Sequence, residues 1–140
     1  MLTLAQWAQV HPGGTVNMGG GCMTVVPHEL PGMYIAGNIV FGWDAIGAQH
    51  TLHVELLDAQ DDPVEGPLGT PVTITAQFQI APVPGLPWGT PLSMPIVLPV
   101  GQMTLQPASQ YEWRYQLDDE EHEDWTLGFS TMPEAQSQAA

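Results

Sequence analysis

The sequence predicts an all-β protein: one antiparallel β-sandwich of about eight short strands. Three observations carry this. Runs of alternating apolar and polar residues, the period of a strand with one buried face, recur along the chain. Gly- and Pro-rich turn signals separate the runs. Fourteen prolines and 15 glycines in 140 residues leave little room for a helix, and no stretch shows a 3.6-residue period.

The elements follow in order. Residues 2–10 and 33–41 carry apolar side chains on both faces, which suits central strands or strands covered by a partner. Residues 22–26 form a shorter candidate. Leu52, Val54 and Leu56 alternate with His53, Glu55 and Leu57. Val72, Ile74, Ala76, Phe78 and Ile80 alternate with Thr73, Thr75, Gln77 and Gln79. Residues 81–91 read as a long Pro-rich loop between strands, and residues 91–98 as another short strand. Tyr111, Trp113, Tyr115 and Leu117 alternate with Glu112, Arg114, Gln116 and Asp118, and Trp125, Leu127 and Phe129 complete the series. About eight strands with frequent breaks point to a sandwich. Residues 105–111 resemble the corner of immunoglobulin-like domains, where a Tyr entering a strand bonds back to nearby backbone. The sandwich is therefore expected to be immunoglobulin-like, over residues 1–132, with a flexible tail at 133–140.

Charge narrows the partners. Fifteen Asp and Glu face one basic residue, Arg114, for a net charge of -14. Nucleic acid is excluded as a partner, because phosphate binding needs several Lys or Arg. An anionic membrane surface would repel the chain. Phosphorylated ligands are disfavoured, since backbone N–H groups would have to make nearly every anion contact. Cys22 is the only cysteine, so no intrachain disulfide forms. That fits a reducing cytoplasm or a virion assembled there. The first residues read as no signal peptide.

Candidate chemistry is sparse. Residues 118–124 contain six acids and lie between two strands. A solvated hairpin turn is the favoured reading, with a Ca²⁺ site through Asp118, Asp119, Glu121 and Asp124 as the alternative. Asp58, Asp61 and Asp62 form a second acidic turn. His50 and His53 are three apart on a strand, so they point to opposite faces and do not chelate one metal. No Gly-x-Ser-x-Gly elbow or His-Glu-x-x-His motif occurs. Cys22, beside Met23 and Val25, reads as a core residue. Gly19-Gly20-Gly21 is followed by neither Lys nor a helix and reads as a backbone crossing or bulge. No catalytic residue and no cofactor is implied.

The aromatic residues say more. Trp113 and Trp125 lie in core alternation. Trp7 lies on the face opposite Leu2, Leu4 and Val10. Trp88 sits on a Pro-Gly loop, where an aromatic is rigidly presented and can anchor an interface. Trp7, Met33, Tyr34, Trp43 and Trp88 are the interface candidates.

The residues Ala5-Gln6-Trp7-Ala8-Gln9-Val10, Pro12-Gly13-Gly14-Thr15-Val16-Asn17 and Gly19-Gly20-Gly21 resemble the opening of a family of small uncharacterised proteins encoded by actinobacteria and their phages. Val40-Phe41-Gly42-Trp43-Asp44, residues 50–58, residues 78–90 and Tyr111-Glu112-Trp113-Arg114 extend the resemblance to about Thr131. It implies a β-sandwich and no established activity. Many relatives carry an aromatic in place of Cys22 and a glycine where Ala108-Ser109 precede Tyr111.

The expected function is a non-enzymatic interaction or structural module, with a capsid or tail decoration in an actinophage virion as its most concrete form. Its partner is expected to be another protein or a second copy of the chain. Two alternatives stand beside it. One is an acidic decoy for a host protein's basic groove, which needs Glu55, Glu112 and the 118–124 acids on one face. The other is a Ca²⁺-dependent carbohydrate-binding module using Trp88.

Overall fold

A computed structural model of the chain describes residues 2–12, 15–81, 84–120 and 125–134. Part of the expected tail, residues 135–140, lies outside these, as do Glu121 and Asp124.

The chain is all-β. The described residues hold twelve strands: β1 (Leu2–Ala5), β2 (Trp7–Val10), β3 (Val16–Gly19), β4 (Val25–Val26), β5 (Glu29–Leu30), β6 (Met33–Phe41), β7 (Gln49–Asp58), β8 (Thr73–Gln79), β9 (Leu92–Val100), β10 (Met103–Thr104), β11 (Gln110–Leu117) and β12 (Thr126–Thr131). One 3-10 turn, Trp43–Ala45, follows β6. No helix among them is long and apolar enough to cross a membrane.

The strands form a five-stranded sheet of order β4-β12-β11-β7-β8 and a three-stranded sheet of order β1-β6-β9. Only the β4–β12 pairing is parallel. Two ribbons, β2–β3 and β5–β10, complete the set. Alternation explains the core. Leu52, Val54 and Leu56 of β7, Tyr111 and Trp113 of β11 and Phe129 of β12 point from the larger sheet into one cluster. Leu2, Leu4, Met33, Ile35, Ile96 and Leu98 meet them from the smaller sheet. Trp113 is 1% exposed, and burying a side chain of that size contributes about 3 kcal/mol. Tyr111 stands opposite Phe129 in the ladder and stacks on it, ring centroids 5.7 Å apart.

The strands are shorter and more numerous than the expected eight. Residues 2–10 are two strands, because the backbone bends at Gln6. β1 pairs with β6, whereas β2 turns away to pair with β3. The bend resets the alternation: Trp7 and Val10 are both exposed. β3, β5 and β10 have two to four residues, too few to show a period.

The two-faced apolar pattern of β6 has an internal cause. Ile35 faces the core, and Ala36, on the other side, is also fully buried. The β2–β3 ribbon runs against β6 and β9 there, and its Ala8 is buried too. Small side chains let the ribbon approach closely, so the chain itself covers this face around Ala36, while Val40 further along stays exposed.

Cys22 departs from the expected core position. It is exposed and has φ +60, in the left-handed region. In the preceding glycine triplet only Gly20 shares that region, at φ +61, and a Cβ there would meet the Gln6 side chain at 2.7 Å.

Candidate functional site

Two loops meet at the end of β6. The first is the 3-10 turn, closed by Ala45 N–H to Gly42 O and Ile46 N–H to Trp43 O, each 3.2 Å. Gly42 leaves room for the Asp44 carboxylate, which would lie 2.9 Å from a Cβ. The second is the turn Pro87-Trp88-Gly89-Thr90. Its ends are joined by Thr90 N–H to Pro87 O at 3.2 Å, and Gly89 has φ +85. Glycine in the left-handed region at the third position is the requirement of a type II turn. That geometry puts Trp88 at the corner, 85% exposed.

The loops are joined through tryptophan. Trp43 Nε1–H donates to Thr90 O at 2.7 Å. The Trp43 and Trp88 rings meet at 5.0 Å between centroids, tilted by 53°. Between the loops lies an open cleft of about 710 Å³, lined by Val40, Phe41, Trp43, Asp44, Trp88 and Pro91 among others. This volume lies within the usual range for ligand sites. Val40 is 59% exposed and also borders a second cleft of about 210 Å³ beside Tyr115, Leu117 and Trp125. β1 ends opposite Gly37, so this stretch of β6 has no described strand on that side.

Behind the 3-10 turn lies a polar clasp. His50, at the start of β7, is 7% exposed. Its Nδ1 is 2.6 Å from Asp118 Oδ2, and its Nε2 is 2.9 Å from Ala45 O. The Phe41 and Phe78 rings, in contact with each other, pack against it at 5.1 and 5.7 Å. A carboxylate and a carbonyl only accept, so the two contacts are both satisfied when both ring nitrogens donate, as in the imidazolium. The hydrogen bond to Asp118, then that to Ala45, holds the His50 pKa above its ordinary value against the opposing effect of burial. The bond from His50, joined by the Thr51 N–H, lowers that of Asp118.

The acidic run is thus more than a solvated turn. Asp118 and Asp119 have φ +52 and +65, a two-residue hairpin turn with both central residues left-handed, and Leu117 and Glu120 exchange backbone hydrogen bonds across it. The turn aims Asp118 back at β7. Both Asp118 oxygens are engaged, one by His50 and one by Thr51 N–H. No group of three or more His, Cys, Asp or Glu side chains among the described residues could hold a metal ion. Glu121 and Asp124 lie outside those residues. In the second acidic turn, Asp58 Oδ1 accepts the N–H groups of Gln60 and Asp62.

The interface candidates separate in space. Trp43 and Trp88 come together. Met33 is buried in the core at 3% exposure. Tyr34 is half-buried on β6, and Trp7 is exposed on the β2–β3 ribbon. Glu55 and Glu112 share the outer face of the larger sheet with Arg114, which stands opposite Glu55 and reaches Asp61 at 3.1 Å and Glu112 at 3.4 Å. A cation therefore interrupts that row of carboxylates, and Asp118 points to the inner side.

Sequence reading missed the clasp because His50 and Asp118 are 68 residues apart. The only local signal was a His at an inward-facing strand position. It missed the role of Thr90 because its acceptor is backbone.

No curated protein and no solved structure matches the chain. Residues 1–129 match a family described as being of unknown function. The chain belongs to that family, DUF6941.

Proposed function

We propose that the chain is a non-enzymatic interaction module on an immunoglobulin-like sandwich, and that it grips a protein partner in the Trp43–Trp88 cleft. The observation that carries this is Trp88, 85% exposed at the corner of a turn that is itself tied to Trp43. Large aromatics held rigidly at a surface are the usual anchors of interfaces, because little entropy is lost when they are covered. Asp44 is the one charged residue of the lining, and no basic residue shares it. With a net charge of -14, this favours a partner segment that offers an apolar side chain beside a Lys or Arg. The β2–β3 ribbon already covers Ala36, which leaves the exposed Val40 and the cleft beside it as the apolar surface of β6 open to a partner. The backbone tie of Tyr111 to Gln106 supports the immunoglobulin-like assignment. The resemblance to proteins of actinobacteria and their phages supports a virion decoration, or the host cytoplasm, as the setting.

A photo-crosslinking residue in place of Trp88 tests the reading in the producing cell or during infection. The expected result is one dominant adduct with a second protein. The control is Leu68, equally exposed at 91% on the loop beyond the other end of β7. Equal adduct patterns from both positions would overturn the proposal.

A further inference from the structure

We propose that His50 is a protonation switch for this cleft: the imidazolium holds the Ala45 carbonyl and so the turn that carries Trp43, and loss of one proton releases them. The inference rests on the cleft being the working surface and adds its regulation.

The geometry makes the two ring protons unequal. The Nδ1–H bond to Asp118 is charge-assisted and short, at 2.6 Å. The Nε2–H bond goes to a neutral carbonyl at 2.9 Å. When the ring loses a proton, the carboxylate retains the one on Nδ1. Nε2 then turns a lone pair toward Ala45 O, and two acceptors at that distance repel. The ring is 7% exposed and packs on the touching pair Phe41 and Phe78, which leaves it little room to swing aside. The movable side is Ala45, the last residue of a turn of only three. Trp43 is the first residue of that turn, and its indole N–H crosses to Thr90 beneath Trp88. A shift of Ala45 is thereby passed to both rings of the cleft.

The charges around His50 set the direction. The β11–β12 turn contributes Asp118, and the 3-10 turn contributes Asp44. β6 and β8 present Phe41 and Phe78, which do not titrate. Both charged neighbours favour the imidazolium. The clasp is closed between the lowered titration of Asp118 and the raised titration of His50, and it opens as pH rises through the latter.

Nuclear magnetic resonance on the free protein tests the switch. The indole N–H of Trp43, assigned by its loss in W43F, and the ring of His50 are followed against pH. One shared midpoint above 6.5 is expected for both. Asp118→Asn keeps an acceptor for Thr51 and suits the left-handed backbone, so the fold is retained. The Asn Nδ2 then donates to His50 Nδ1, so the His50 midpoint falls, and the neutral ring keeps its Nε2–H on Ala45 O, so the Trp43 signal loses its pH dependence. A wild-type Trp43 signal that ignores pH, or a Trp43 signal that still follows His50 in D118N, would overturn the switch. No partner is present in this measurement, so it is independent of the crosslinking result. Failure of the crosslink removes the docking reading and leaves the coupling standing. Failure of the shared midpoint removes the coupling alone.

Discussion

The hydroxyl of Tyr111 accepts the backbone N–H of Gln106 at 2.9 Å, five residues upstream. The same corner is tied from the other side: Thr131 Oγ1–H donates to Gln106 O at 2.6 Å and accepts the N–H of Ser109 at 2.9 Å. Tyr111 and Thr131 are both buried, at 8% and 3% exposure. The loop between β10 and β11 is therefore pinned at one residue by two side chains from neighbouring strands.

Removing the hydroxyl leaves a half-buried N–H without its acceptor. Y111F should lower the unfolding free energy by about 1–2 kcal/mol while leaving the stacking on Phe129 in place. Urea unfolding followed by tryptophan fluorescence measures it. A loss below about 0.3 kcal/mol would show that water takes the place of the hydroxyl.

Stability should depend on pH from both ends of the His50–Asp118 pair. The folded pKa of His50 lies above its unfolded value, so its contribution is full below about 6.5 and is lost as pH rises through the folded value. The folded pKa of Asp118 lies below its unfolded value, so its contribution is present above about 3.8 and is lost as pH falls through the folded value. The pair therefore contributes most between those limits. Urea midpoints of wild type and D118N, compared from pH 3 to 9, should differ most near pH 5–6 and converge on both sides. A constant difference across that range would sink the assignment.

Trp88 should matter for binding and not for folding. With 85% of its surface exposed, W88A should change stability by no more than about 0.5 kcal/mol. W43F should cost more, about 1 kcal/mol, because it leaves Thr90 O without its donor. Thermal unfolding of the two variants side by side is the check. A large loss in W88A would make it a structural residue and deprive the cleft of its anchor.

Arg114, the one basic residue, should contribute little stability. Its partners Asp61 and Glu112 lie on a solvated sheet face, where such pairs give about 0–1 kcal/mol. R114M should unfold within about 1 kcal/mol of wild type, and the gap should shrink in high salt. A salt-insensitive loss above 2 kcal/mol would mean that the guanidinium acts through packing of its stem.

Alternation made the inner halves of β7, β8, β11 and β12 legible. A strand buried on one face must repeat every two residues, and long strands display the repeat. The likeness of residues 105–111 to a known corner, not alternation, pointed to the tie made by Tyr111. The ribbons β3, β5 and β10 escaped because they are too short to show a period, and the bend at Gln6 because nothing local marks it. Cys22 was misread because hydrophobic neighbours do not reveal a left-handed backbone.

By itself the sequence determined the all-β class and the turn positions, since composition and period are properties of the chain as written. It also pointed to Trp43 and Trp88 one at a time. Only the tertiary structure decided that they form one cleft, that the chain covers β6 at Ala36 itself, and that Asp118 leaves the acidic run to hold His50. Each joins residues tens of positions apart through the register of paired strands. Register follows from the packing of the whole core and is written in no single segment.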